Sequence, residues 1–173
     1  MNEQEEESLL AASLPSVTLY SDGGSRNAPV FCGGYGSIMV CGRDALFCYG
    51  GHYRTTNNYE ELSAVLAGLR RLTVPCRVLI VSDSRYVCDG INKGWLSGWV
   101  MNGWKTSQGK PVQNRELWEE LWGHLQRHVV HAQWIKGHAG NPNNQVCDHF
   151  ATIGMYKTAR MPIPGHLIDS KRA

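Results

Sequence analysis

The sequence predicts an α/β domain, built as a five-stranded mixed sheet flanked by helices in the order βββαβααβα. The chain has 173 residues, of which 42% are hydrophobic and 18% charged, so it can bury one substantial core. Three strand-like segments separated by turns come first, and helical segments then alternate with two further strands. We expect the domain to span 17–157, after a flexible acidic leader at 1–16 and before a surface tail at 158–173.

The first half of the domain predicts an antiparallel meander, a helix and a buried strand. The meander strands are expected at 17–22, 35–40 and 45–49, with a glycine-rich turn after the first. Apolar residues recur at helical spacing over 57–72, and Pro75 ends that helix. Residues 78–81 are an unbroken apolar run, which is typical of a strand covered on both faces.

The second half adds three helices and one strand. The helices are expected at 84–91, 113–128 and 142–156, and the strand at 131–135. Residues 93–110, after the first of these helices, are rich in tryptophan and glycine. A loop at 136–141 precedes the last helix, and Pro142 suits the first turn of that helix.

Composition limits the class of protein and of partner. Four of the 15 acidic residues lie within 1–7, so 17 basic residues face 11 acidic ones in the rest of the chain, a formal charge of +6. A mildly basic body suits a polyanionic partner. No apolar run approaches the roughly 20 residues that span a bilayer, and the six cysteines lack metal-site spacing. We therefore expect a cytoplasmic protein with reduced thiols and no membrane partner.

Two aspartates come at the ends of predicted strands. Asp22 closes the first strand and Asp83 closes the buried one. Because ligand sites in open α/β sheets gather beyond the carboxyl ends of strands, both acids can share one cleft. Taken singly, each has a structural alternative, a turn residue for Asp22 and a helix N-cap for Asp83.

Two glutamates begin the first helix. At about 100° per residue, Glu60 falls opposite the leucine stripe and Glu61 at its edge, so Glu60 is expected to face water and Glu61 the sheet. The alternative for Glu61 is a capping box with Asn58 as N-cap.

Asp148 lies well inside the last predicted helix, where neither a cap nor the helix dipole explains it. Several acids without matching bases repel one another, and hard divalent cations relieve that repulsion. Oxygen ligands favour magnesium over zinc. His138, in a loop flanked by glycines, is expected to be exposed, and solvent exposure alone is its structural alternative.

These motifs together resemble ribonuclease H of type 1, over residues 17 to about 155. The resembling segments are YSDGG at 20–24, TTNNYEEL at 55–62, VSDSRYV at 81–87, GWKT at 103–106 and WIKGHAGNP at 134–142, followed by Cys147-Asp148. Each motif is weak alone, but five in the right order and spacing are a strong signal.

The resemblance implies a ribonuclease H-like fold and endonucleolytic cleavage of the RNA strand of RNA/DNA hybrids, giving 3′-hydroxyl and 5′-phosphate ends. The catalytic and metal-binding acids would be Asp22, Glu61, Asp83 and Asp148, with His138 assisting proton transfer or product departure. Two Mg²⁺ ions per site are implied, with Mn²⁺ as a substitute, in a protein expected to be a monomer.

The resemblance also implies a set of contacts to the hybrid. The corresponding residues are Asn27, Thr56, Asn57, Asn58, Arg85, Tyr86, Trp95 and Trp99, whereas Trp104 is expected in the core. Three departures stand out: a longer turn around Asn27, Arg85 in place of a common RNA-contacting glutamine, and 100–103 in place of a basic run. Simple packing is the alternative for the tryptophans.

Two other functions fit the same residues less well. A nuclease or integrase of this fold acting on DNA is one. A catalytically silent hybrid-binding module is the other, although all four acids are present.

Overall fold

The computed structural model describes residues 12–26, 31–137 and 140–168. It contains a five-stranded sheet in the order β3-β2-β1-β4-β5. The strands are β1 (Ser16–Arg26), β2 (Cys32–Cys41), β3 (Asp44–Tyr53), β4 (Arg77–Ser82) and β5 (Val129–Trp134). The first three strands are antiparallel, and β4 runs parallel to both β1 and β5. The mixed α/β sheet predicted from the sequence is confirmed.

The described helices surround this sheet. They are α1 (Asn57–Leu69), α2 (Arg85–Asn92), α3 (Trp95–Met101), α4 (Arg115–Arg127), α5 (Pro142–Thr158) and α6 (Gly165–Ile168). The sequence prediction missed α3 and the single turn α6. Helix α3 forms in the tryptophan- and glycine-rich stretch because Gly94 adopts φ +71° before it and Leu96 inserts into the core.

The two faces of the sheet carry different helices. Successive residues of a strand point to opposite faces, and on β2 a Cβ at Gly33 would lie 2.7 Å from Glu60 of α1. A Cβ at Gly34 or Gly36 would instead collide with main-chain atoms of α5. The main core lies on the α1 face, where Leu19 and Ile80 of the sheet meet Leu66 at 0% exposure.

Several predicted boundaries were wrong. Strands β1 and β2 continue into the predicted glycine-rich turn, since their pairing extends to Arg26 opposite Cys32. Helix α1 begins at Asn57 as predicted but ends at Leu69 rather than at 72, and the alternative of a capping box with Asn58 as N-cap is not found, because the Thr56 hydroxyl caps the helix by accepting a hydrogen bond from Tyr59 N–H. Ser84, not Asp83, caps α2.

All six cysteines are free, and four of them are buried: Cys32, Cys76, Cys88 and Cys147. None of the helices in the described ranges has both the length and the apolar character needed to cross a bilayer.

Candidate active site

Three of the predicted acids meet where the pairing of β1 with β4 ends, and Asp22 lies within β1 rather than at its carboxyl end as predicted, because β1 continues to Arg26 against β2. These strands are parallel neighbours with Ser21 opposite Ser82, so the next residues, Asp22 and Asp83, lie side by side. Glu61 comes from the first turns of α1. Carboxylate oxygens of Asp22, Glu61 and Asp83 all lie within 4.8 Å of one another.

Glycines allow the surrounding main chain to approach these acids closely. A Cβ at Gly23 would collide with the main chain of Glu60 and Glu61, so only glycine lets α1 rest on β1 here. A Cβ at Gly137 would lie 2.5 Å from Asp83 Oδ2. The segment after β5 therefore passes directly beside Asp83.

Asp148 is placed differently from the other three acids. It is exposed on α5 and is not part of the cluster that lies within 4.8 Å. It is nevertheless near enough for its charge to raise the pKa of Asp22. The structure thus groups three of the four predicted acids tightly and leaves the fourth at the margin.

The electrostatics of the cluster are unfavourable to ionised carboxylates. Burial, followed by repulsion from Asp83 and then Asp148, raises the pKa of Asp22 to about 7. Burial and repulsion from Asp22 and Asp83 raise the pKa of Glu61 well above its ordinary value. Within the described ranges, no basic side chain has a nitrogen within 4.0 Å of these carboxylates.

The donor set fits a hard divalent cation. Glu61 Oε2 and Asp83 Oδ1 are shielded from solvent and have no hydrogen-bond partner in the described part of the chain. Buried carboxylate oxygens without partners are costly unless paired or bound to a metal. Since every donor is an oxygen, Asp22, Glu61 and Asp83 could hold a hard cation, and Asp148 could join from the margin.

The prediction that Glu60 faces water was wrong. Its side chain is 0% exposed, and its two carboxylate oxygens lie 3.0 and 3.2 Å from His52 Nδ1. The error arose because the leucine stripe marks only one side of α1. In the folded protein the helix also contacts β3, so its start is enclosed on a second side.

Two predicted site residues, Asn27 and His138, lie outside the described residues. The residue before His138 is Gly137, which contacts Asp83 as noted above.

A polar cleft of about 360 Å³ adjoins the start of α1. It is lined by Ser25, Thr55, Thr56, Asn57 and Asn58. The Asn57 side-chain oxygen accepts hydrogen bonds from Ser25 N–H at 2.7 Å and from Ser25 Oγ at 2.8 Å. Asn57 is therefore held in place, with its amide group at the cleft.

A second cleft is lined by aromatic side chains of α3. Trp95 and Trp99 both line a cleft of about 470 Å³, with ring centroids 6.3 Å apart. Trp99 also packs on Trp118, so one part of its side chain contacts the core and another part lines the cleft. Tyr86 Oη accepts a hydrogen bond from Trp118 Nε1 at 2.7 Å and is tied to the core. Trp104 packs against the core, as expected.

Sequence reasoning missed one contact beside the acids. The Arg85 guanidinium lies 3.8 Å from the centre of the Trp134 ring, and Trp134 Nε1 donates a hydrogen bond to the Asp83 carbonyl at 2.9 Å. The sequence signal for this contact was that Trp134 is the last residue of β5, the strand next to β4.

A larger cleft, of about 600 Å³, lies at the opposite ends of the strands. Ser16, Arg77 and Val129, the first residues of β1, β4 and β5, line it. None of the described residues that line this cleft is acidic.

Comparison with known proteins agrees with this geometry. The family profile described as RNase H matches residues 15–156. Ribonuclease H of Marinobacter nauticus is 44% identical over 139 residues, which are 80% of this chain and 93% of that protein. Ribonuclease H of Bradyrhizobium diazoefficiens is 44% identical over 146 residues, 84% of this chain and 94% of that protein.

Solved structures show the same fold. LC9-RNase H1, described as a type 1 RNase H with the type 2 active-site motif, superposes with a TM-score of 0.75 at 25% identity, covering 92% of this chain and 82% of that one. A foamy viral protease-reverse transcriptase in complex with an RNA/DNA hybrid has a TM-score of 0.71 at 21% identity, covering 83% and 20%. The chain therefore belongs to the ribonuclease H family and is an RNA-cleaving hydrolase.

Proposed function

We propose that this protein is an endonuclease that hydrolyses the RNA strand of RNA/DNA hybrids and leaves 3′-hydroxyl and 5′-phosphate ends. The observation that carries the proposal is the cluster of Asp22, Glu61 and Asp83, with oxygens that lack partners among the described residues. Family membership supports RNA as the strand that is cut. The viral relative solved with an RNA/DNA hybrid supports this substrate class.

Asp22, Glu61, Asp83 and Asp148 would hold two Mg²⁺ ions, for which Mn²⁺ can substitute. Cations held by these four carboxylates would supply Lewis-acid chemistry, lowering the pKa of a bound water and stabilising negative charge on the departing 3′ oxygen. The carboxylates must be ionised to bind a cation, and the raised pKa of Asp22 makes this a competition with protons near neutral pH. His138, which follows Gly137 in the sequence, would carry a proton at its imidazole ring.

Substrate contacts would surround the acids. Thr56, Asn57 and Asn58 line the polar cleft, and Trp95 and Trp99 line the aromatic one. The remaining proposed contacts are Asn27, Arg85 and Tyr86. An amide can both donate to and accept from a ribose 2′-hydroxyl, which distinguishes RNA from DNA. We also propose that the protein acts as a monomer in the cytoplasm.

The decisive experiment is a cleavage assay in Mg²⁺ on matched RNA/DNA, RNA/RNA and DNA/DNA duplexes, with the ends of the products identified. The proposal expects cleavage of the hybrid alone, in its RNA strand. Cleavage of DNA/DNA would favour the DNA nuclease alternative. Binding of the hybrid without cleavage would favour the silent module.

A further inference from the structure

We propose that Arg85 binds a phosphate of the RNA strand next to the cleaved bond, and that Trp134 is the residue that positions it. This inference rests on the proposed function, since it names a contact of the same site. It begins from the stacked contact of 3.8 Å between the Arg85 guanidinium and the Trp134 ring.

The two residues flank the turn that carries Asp83. Arg85 is the first residue of α2, and Trp134 is the last residue of β5, opposite Ser82 in the register with β4. The indole N–H of Trp134 is bonded at 2.9 Å to the main-chain oxygen of Asp83. One side chain therefore contacts both the backbone of a proposed metal ligand and the guanidinium two residues later.

The cation is available to a ligand. Arg85 is exposed and forms no ion pair within the described ranges of the chain. A positive charge at the N-terminus of a helix opposes the helix dipole, so its position does not serve the stability of α2. Its charge therefore remains without an anionic partner among the described residues, and its side chain is held by the Trp134 ring.

The chemistry of the pair favours a phosphate. Stacking covers one face of the guanidinium and leaves its in-plane N–H groups free, and these match two oxygens of a phosphate. Arginine only donates hydrogen bonds, whereas a glutamine both donates and accepts. A phosphate offers two anionic acceptor oxygens to these N–H groups, and the resulting charge-assisted bidentate contact is stronger than a single hydrogen bond to a neutral 2′-hydroxyl oxygen.

The strand that Arg85 would contact follows from its distance to the acids. Two peptide steps separate Arg85 from Asp83, which limits their Cα atoms to about 7.6 Å. The strand that reaches Asp83 is the one that is cleaved, so the phosphate would belong to RNA. Trp134 would restrict the guanidinium to this location before substrate arrives, which lowers the entropy lost on binding.

The first test is Arg85→Ala, measured as kcat and KM on the hybrid over a range of salt concentrations. We expect KM to rise about tenfold with kcat changed much less, and the log–log salt slope of KM to fall by about one unit, because one phosphate contact is lost. The matched control is Arg77→Ala, which removes the same charge at the far end of β4. Equal effects of the two variants, or none from Arg85→Ala, would overturn the inference.

The second test concerns Trp134. Trp134→Leu removes the aromatic face and should raise KM almost as much as Arg85→Ala does, whereas Trp134→Phe keeps a face and should retain much of the affinity. In the Arg85→Ala background, Trp134→Leu should add little further increase in KM. If the two effects on KM multiply independently, or if Trp134→Leu lowers only the melting temperature, Trp134 does not position Arg85.

The third test identifies the ligand. Hybrids with one uncharged methylphosphonate at successive linkages of the RNA strand should show weaker cleavage by the wild-type protein at one linkage near the cut, and Arg85→Ala should lose that sensitivity. Unchanged sensitivity in Arg85→Ala at every linkage refutes the phosphate contact. If the wild-type protein fails to cleave any hybrid, the proposed function fails instead, so the two failures are distinguishable.

Discussion

At the scale of single residues, Asp22 combines burial with two neighbouring negative charges, and its pKa is raised to about 7. Asp22→Asn removes one charge and keeps the shape of the side chain. We expect cleavage of the hybrid to fall by about three orders of magnitude or more, because a proposed metal ligand is lost. The fold should remain, as measured by circular dichroism. Asp44→Asn, at the exposed start of β3, is the matched control and should cleave normally.

The same residue predicts how stability depends on pH in the absence of metal. The folded protein retains the Asp22 proton up to about pH 7, whereas an ordinary aspartate loses it near 3.8. The folded state therefore binds more protons in this window, and stability should fall as pH rises from about 4 to 7. Denaturant unfolding in a chelator would measure this decline. Asp22→Asn should make the decline shallower without removing it, since the raised pKa of Glu61 contributes in the same direction, and an unchanged slope in that variant would contradict the assignment.

The adjacent glutamates should behave differently from each other. Glu60 is buried against His52, so Glu60→Leu should destabilise the fold by roughly 0.5–1.5 kcal/mol, because the contact with His52 is lost while the half-exposed imidazole can be hydrated. Glu61→Gln should abolish cleavage with little loss of stability, because it removes a repelled charge. Thermal melts and cleavage rates of both variants test this. Loss of cleavage in a folded Glu60→Leu protein with full cleavage by Glu61→Gln would reverse the roles.

At the scale of elements, α3 carries the aromatic cleft but no basic residue. The nearest bases are Lys93 before it and Lys105 after it. A protein without the basic run that the family has at this position makes fewer phosphate contacts and releases fewer counterions, so its binding of the hybrid should depend less steeply on salt. Met101, at 88% exposure, is the suitable position for an added charge, since Val100 packs against the core.

Met101→Lys should therefore lower KM for the hybrid at moderate salt and steepen its salt dependence by up to about one log–log unit, with kcat nearly unchanged. Met101→Gln is the uncharged control. If the lysine changes neither KM nor the salt slope, α3 does not face the substrate.

At the scale of the whole molecule, the sequence predicted the sheet, its mixed character and a site of four acids, three of which cluster in the structure. Periodicity and apolar runs are local properties, and they indicated Asp22 and Asp83 even though β1 continues beyond Asp22 to Arg26. The missed features depend on distant contacts. Glu60 is buried by contact with His52 of β3, and Arg85 meets Trp134 only because β4 and β5 are neighbours. No pattern within a single stretch of the sequence indicates either of these two contacts.

The glycines of β2 that contact α5 limit which substitutions the sheet can accept. Asp22 pairs with Gly36 in the sheet, and the missing side chain of Gly36 leaves room for the main-chain oxygen of Cys147, the residue before Asp148. The position of Asp148 relative to Asp22 is thus set by direct contact between the main chain of β2 at Gly36 and the main chain of α5 at Cys147. A side chain at position 36 would push the main chain of Cys147 away from the sheet and move Asp148 with it, so the position of the fourth acid depends on a residue that has no functional group of its own.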